Sequence, residues 1–179
     1  TETSVSNPNP FACVCSVVYV EMLAAAIRFV GDEERVTAVL KRGRAAIDEG
    51  ADAITDEQRR EIEAILAYGE SDRPDTRRID GADKGWCAHA LYCAVIALRY
   101  PTYEEAITAV VRKGGDTDTN AAVAGALYGA VFPDLSAITD ENILLLSQAD
   151  TTEGDLPRPD EYHPRHLTKF ARKLTQTFF

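Results

Sequence analysis

The sequence predicts an all-α protein, and three observations support that class. Apolar residues recur at helical spacing in several segments; over residues 33–49 one face would carry Val36, Val39, Leu40, Gly43 and Ile47. Two segments open with a hydroxyl residue followed three positions later by Gln or Glu, the capping-box pattern, at Thr55 and Thr102. No segment gives a convincing sheet. At 179 residues, we expect one all-helical domain over 1–179 with a real core.

The most apolar segment, residues 11–30, fits either a buried helix or a membrane-spanning helix. A strand at VCSVVYV is a third alternative, but the length of the segment favours a helix. Glu21 stands at its middle, and a carboxylate at the bilayer centre costs about 2.5–3.5 kcal/mol. We therefore predict a buried core helix.

Composition narrows the function classes. The net charge of −10 argues against non-specific binding of nucleic acid, which needs clustered Lys and Arg. Neither a zinc site nor a disulfide framework is expected from the four cysteines, Cys13, Cys15, Cys87 and Cys93. We interpret them as small buried thiols of a cytoplasmic protein, whose N-terminus lacks the basic-then-apolar order of a signal peptide.

The central elements follow in order. The helix over 33–49 should end at Gly50, and the one that opens at Thr55 should turn Ile62, Ile65 and Leu66 inward and stop near Gly69. Residues 69–85 are polar and rich in turn formers, which predicts a long exposed loop. An apolar helix then runs to Pro101. The helix that opens at Thr102 should face the core with Ile107, Val110 and Val111.

The C-terminal part predicts two helices around an exposed loop. A short helix should begin near Thr139 and contain the run ILLL, followed by a loop over residues 150–162. The last helix has one apolar face, formed by Leu167, Phe170, Ala171, Leu174 and Phe178. A basic helix at a membrane surface is one alternative, but we expect a docked terminal helix with a solvated basic face.

The segment GGDTDTN, residues 114–120, carries the chemistry. Asp116, Asp118 and Thr119 place two carboxylates and a hydroxyl on a turn that leads into a helix, and such hard oxygens suit Mg²⁺, Mn²⁺ or Ca²⁺. Gly114 and Gly115 permit a tight turn around an ion or ligand, and the helix start also suits a phosphate. A simpler alternative is that Asp116 or Thr117 only caps the helix.

Two other acidic metal motifs fit less well. An EF-hand would need Gly and Glu where Ala121 and Leu127 stand. A phosphoryl-transfer D-x-D-x-T site would follow an apolar strand, whereas here a helix end precedes the acids. Small residues at Ala121, Gly125 and Gly129 allow close helix contact, so the helix after the acids should be central and hold them rigidly.

The run GGDTDTNAAVAGALYGA closely resembles the C-terminal metal-binding signature of the ADP-ribosylglycohydrolase family. GWCAHALYCAVIAL with YEEAITAVVRKGG resembles the elements before that signature, and SNPNP is similar to a family turn of the form T-H-P-x-P. The resemblance implies an all-helical fold, two Mg²⁺ ions (Mn²⁺ being an alternative) and cleavage of a glycosidic bond to ADP-ribose, on a modified protein or a small molecule.

By position, the resemblance implies metal ligands at Asp116, Asp118 and Thr119. It also implies substrate contacts, which fall at Gly114, Gly115, Thr117, Gly85, Trp86 and Asn7. Trp86 could stack on an adenine or be a core or rim aromatic. No catalytic residue is assigned, and His89 is interpreted as a helix-face residue.

The sequence departs from the family pattern in two respects. Asn7 stands where His is common, and the family's N-terminal signatures, which supply further metal ligands, are absent. We therefore expect activity to need a missing N-terminal half. We also expect the chain to self-associate, which would cover the apolar faces that the missing half leaves exposed. The alternative is a non-catalytic module that binds ADP-ribose or metal, or a structural remnant.

Overall fold

The computed structural model describes residues 3–29, 34–70, 75–132 and 140–178, and these form α-helices joined by turns and loops without a strand. The all-α class is therefore confirmed. The helices are α1 (Thr3–Ser6), α2 (Pro10–Ile27), α3 (Arg35–Glu49), α4 (Asp56–Tyr68), α5 (Cys87–Ala97), α6 (Tyr103–Arg112), α7 (Thr117–Val131), α8 (Asp140–Gln148) and α9 (Leu167–Phe178).

The chain divides into two compact units, Thr1–Leu135 and Ser136–Phe179. The first unit holds α1 to α7 and the second holds α8 and α9. A single domain over 1–179 stays a prediction.

The core of the first unit is built around α2, α5 and α7. Helix α2 packs against α3, α5 and α7, and α5 also contacts α4 and α6. Every residue from Ala88 to Ala97 except Ala90 is buried, so α5 is enclosed on nearly all sides. Within the described residues, α2 is the one helix long and apolar enough to cross a membrane, yet it buries Phe11, Val18 and Met22 completely against its neighbours.

The two predicted helix caps are present at the N-termini of α4 and α6. The hydroxyl of Thr55 accepts a hydrogen bond from the Gln58 backbone N–H, and the Gln58 side chain accepts one from the Thr55 N–H. The Thr102 hydroxyl likewise accepts from the Glu105 N–H. All three bonds satisfy amides that have no partner inside the helix.

One predicted core position on α6 is wrong. Val110 is fully buried and Ile107 packs against the core, but Val111 is 47% exposed. The buried face of α6 instead includes Ala106, which shares a helix face with Val110 one turn later. Helix α6 contacts both α5 and α7, so tertiary packing decides which of its residues are enclosed.

In the second unit, α8 and α9 both contact the short turn Pro164–His166. The run from Ile143 to Leu146 is at least half exposed, as are Leu167 and Phe170. Leu174 is also 41% exposed. That the last helix docks through its apolar face stays a prediction. Thr139 lies outside the described residues, as does the side chain of Phe178.

Candidate functional site

A sharp backbone corner joins α6 to α7. Gly114 and Gly115 have φ angles of 74° and 73°, a region that residues with a side chain rarely occupy. A Cβ atom on Gly115 would lie 2.4 Å from the carbonyl oxygen of Ile79, so no side chain fits there. The corner therefore requires glycine for both its conformation and its close approach to the loop.

The loop over residues 75–85 packs against this corner through one buried residue and one cation. Ile79 is completely buried beneath the corner. Lys113, just before the glycines, places its ammonium 2.5 Å from an Asp75 carboxylate oxygen and donates to the Arg77 carbonyl at 2.9 Å. The predicted exposed loop is thus anchored, because an apolar side chain and an ion pair hold it to the end of α6.

Asp116 stands at the N-cap of α7, but its side chain makes no capping hydrogen bond. Its backbone carbonyl accepts from the Asn120 N–H at 2.9 Å, which continues the helix. The neighbouring Asp116 carboxyl lowers the pKa of Asp118. The N–H groups of Asp118 and Thr119 lower that pKa further. The alternative that the Asp116 side chain caps the helix therefore loses its support.

The Asp116 and Asp118 carboxylates and the Thr119 hydroxyl are the groups at the corner whose chemistry suits a hard cation. Two neighbouring carboxylates repel each other when both are ionised, and a divalent cation would offset that repulsion. Across the part of the chain that the structure describes, no group of three His, Cys, Asp or Glu side chains is arranged to hold a metal ion. Asp116 and Asp118 with the Thr119 hydroxyl would thus be an incomplete ligand set.

A cleft of about 440 Å³ opens beside the corner, between α2, α5 and α7. Four of the residues predicted for the site line it, and these are Asp116, Thr119, Gly85 and Trp86. Asp118, Thr117, Gly114 and Gly115 are adjacent in sequence but are not among the lining residues. Asn7 is not among them either; it is exposed, and its side-chain oxygen accepts from the Asn9 N–H.

Trp86 forms part of the wall and is also held by the core. Its ring stacks on Phe11, with centroids 5.0 Å apart and the planes 13° from parallel. Phe11 is fully buried, whereas Trp86 is half-buried and lines the cleft. One face of the indole is therefore covered, so a ligand could contact only the part of the ring that remains open to the cleft.

Several residues that line the cleft were not predicted from the sequence. Lys84 is the one cation among the described residues that line the cleft. Ser16 and Tyr19 line the cleft from α2. Asn120 is 2% exposed, and its amide nitrogen has no hydrogen-bond partner among the described residues. The place of Asn120 inside the GGDTDTN run could have suggested that it belongs to the site. Ser16 and Tyr19 could not be found in this way, because an apolar helix such as α2 does not indicate which of its residues face a cleft.

The fold and the site define an all-α protein with paired carboxylates on a glycine corner beside a cleft. The family model for ADP-ribosylglycohydrolase matches residues 2–154, and the chain belongs to that family. It is similar to a protein of Acanthamoeba polyphaga mimivirus named "Putative ADP-ribosyl glycohydrolase", with 37% identity over 70 residues. That match covers 36% of this chain and 21% of the viral protein. No solved structure matches the chain significantly.

Proposed function

We propose that this protein takes part in hydrolysing the glycosidic bond that links ADP-ribose to a modified protein or small molecule, with Mg²⁺ as cofactor. The observation that carries the proposal is the position of Asp116 and Thr119 in the wall of the cleft that Trp86 also lines. Membership of the ADP-ribosylglycohydrolase family supports the reaction class.

The cleft residues offer groups that suit a nucleotide sugar. Lys84 would attract the diphosphate, since it is the cation among the described lining residues. The amide nitrogen of Asn120 is buried without a partner and would donate to a ligand oxygen. The open part of the Trp86 ring would contact the base or ribose.

Asp116, Asp118 and Thr119 would hold the cation, for which Mn²⁺ is an alternative. When bound, Mg²⁺ would orient sugar hydroxyls and water and offset charge that develops at the reacting carbon. The chain's own contribution is rigidity: the glycine corner is fixed against Ile79, and α7 is packed between α2, α5 and α6.

A second candidate is a non-catalytic module that binds ADP-ribose or metal. It is favoured by the absence, among the described residues, of any group of three or more His, Cys, Asp or Glu side chains that could hold a metal ion. Hydrolysis with two metal ions would need more carboxylates than Asp116 and Asp118 supply. On the first proposal these would come from outside the described residues or from a partner.

Calorimetry with ADP-ribose in Mg²⁺ buffer, repeated with a chelator, tests the binding common to both candidates. We expect measurable affinity that falls in the chelator and in Asp116→Asn. Asp155→Asn is the matched control, because Asp155 is an exposed acid of the second unit. Equal affinity of wild type and Asp116→Asn would overturn the assignment of the site.

A second measurement separates the candidates. Release of ADP-ribose from an ADP-ribosylated protein by the purified chain, lost in Asp116→Asn, would establish the hydrolase. Binding without release would favour the non-catalytic module.

A further inference from the structure

Two of the four free cysteines, Cys15 on α2 and Cys87 on α5, line the wall of the same cleft. Each thiol is near enough to the other to shift its pKa, although the two residues are far apart in the sequence. The sequence indicated only unconnected buried thiols, so the fold creates this pair.

Helix packing fixes the position of the two thiols. Phe11 precedes Cys15 by one helical turn on the same face of α2. Trp86 immediately precedes Cys87, and its ring stacks on Phe11 at 5.0 Å. The stacked rings therefore set the register of α2 against α5, and that register brings Cys15 to Cys87.

The two thiols have different environments. Cys15 is 4% exposed, and the neighbouring Cys87 thiol and its burial raise its pKa. Cys87 is half-buried and is the first residue of α5. The neighbouring Cys15 thiol lowers the pKa of Cys87, and the N–H groups of Ala88 and Cys87 act in the same direction, against its burial. Nearby charges are Glu61, which raises both values, and Arg77, which lowers that of Cys15.

We propose that Cys87 and Cys15 form a redox-active dithiol in the cleft, in which Cys87 attacks a small-molecule disulfide and Cys15 completes an intramolecular disulfide. This cleft dithiol, the pair Cys15 and Cys87, is a modification site independent of the proposed hydrolase function. A thiolate at a helix N-terminus with a second thiol beside it is the arrangement that thiol–disulfide exchange requires.

The exchange proceeds in two balanced steps. The Cys87 thiolate attacks one sulfur of the small disulfide, forming a mixed disulfide and releasing one thiolate. Cys15 then loses its proton to solvent and attacks the Cys87 sulfur, which releases the second thiolate. The two cysteines lose two electrons in total, and the small disulfide gains them.

The other cysteines are internal controls. Cys93 is completely buried, and burial raises the pKa of its thiol to about 12. Cys13 is half-buried and donates to the Asn7 carbonyl at 3.5 Å. Neither lines the cleft.

Treatment of the whole chain with oxidised glutathione, followed by intact mass and peptide mapping, tests the proposal. The wild type should lose two hydrogens and give a peptide with a Cys15–Cys87 bond. Cys15→Ser should stop at one glutathione adduct on Cys87, and Cys87→Ser should form neither product. Cys13→Ser should behave as the wild type. A glutathione adduct on Cys13 in Cys15→Ser, or equal oxidation of Cys87→Ser and wild type, would overturn the proposal.

A measurement on the unmodified chain covers the case in which a variant does not fold. Limited iodoacetamide near neutral pH should label Cys87 at least about tenfold faster than Cys93, since the thiolate is the reacting form. Labelling of Cys13 ahead of Cys87 would contradict the assignment of Cys87 as the nucleophile.

Discussion

Gly115 passes so close to Ile79 that a Cβ atom would lie 2.4 Å from the Ile79 carbonyl oxygen. This contact joins the end of α6 to the loop over 75–85, and it places the acidic turn at the edge of the cleft. The position of the acids therefore depends on the absence of a side chain one residue before them.

Gly115→Ala should destabilise the protein by about 1–3 kcal/mol, because alanine meets both an unfavourable φ of 73° and the Ile79 backbone. Urea unfolding followed by circular dichroism measures the loss. Gly85→Ala is the control for stability, since a Cβ atom there meets nothing within 4 Å and Gly85 is not among the positive-φ residues. Equal stability of the two variants would mean that the loop moves away from the corner at little cost.

Mg²⁺ should raise the thermal midpoint of the wild type, and a chelator should reverse the effect. A ligand that binds only the folded state at 100 times its dissociation constant adds about 2.7 kcal/mol. Asp118→Asn should lose this response, because a carboxylate paired with Asp116 becomes a neutral amide. Differential scanning calorimetry with Asp155→Asn as the control measures it. An undiminished Mg²⁺ shift in Asp118→Asn would place the bound cation elsewhere on the chain.

The predictability of this fold from sequence ends where contacts become long-range. The helix start at Thr55 was predictable because its capping bonds join residues three positions apart. Local periodicity could not select between Ala106 and Val111, since the packing of α5 and α7 on α6 decides which residue is enclosed. No pattern in the sequence connects Cys15 with Cys87.

The residues of the candidate site also fall into those that local sequence predicts and those that only the packing of helices reveals. The run GGDTDTN indicated the acids and the glycine corner because the chemistry is contiguous in sequence. Lys84 and Ser16 reach the cleft from a loop and from α2, so only the packing of these elements on α7 shows that they share a wall. Asn7 was predicted from its resemblance to a family motif, but it is not among the residues that line the cleft.

Asn120→Leu should leave the free energy of unfolding unchanged or raise it by up to about 1–3 kcal/mol. The amide nitrogen is buried without a partner among the described residues, so its removal relieves a desolvation cost. The same variant should bind ADP-ribose about tenfold more weakly, because one donated hydrogen bond is lost. Denaturation and calorimetry on the same sample measure both effects.

Thr151→Val is the matched control for Asn120→Leu. The Thr151 hydroxyl is also buried without a partner among the described residues, but it belongs to the second unit. It should show a similar effect on stability and no change in ADP-ribose affinity. Weaker binding in Thr151→Val, or strong destabilisation by Asn120→Leu, would count against a ligand-facing role for Asn120.

The ion pair between Arg44 on α3 and Glu70 after α4 should stabilise the protein near neutral pH and not in acid. Both guanidinium nitrogens lie 2.6 Å from the two carboxylate oxygens, and this bidentate contact lowers the pKa of Glu70. A carboxyl whose folded pKa is depressed contributes stability above its unfolded pKa, about 4.3, and loses it as the pH falls through the folded value. Both side chains are more than a third exposed, so solvent screening limits the coupling to about 0.2–1 kcal/mol.

A double-mutant cycle of Arg44→Ala and Glu70→Ala near pH 7 should show this coupling energy, and the same cycle near pH 3 should give a value close to zero. A coupling that persists in acid would mean that packing of the Arg44 side chain, rather than its charge, joins α3 to the end of α4.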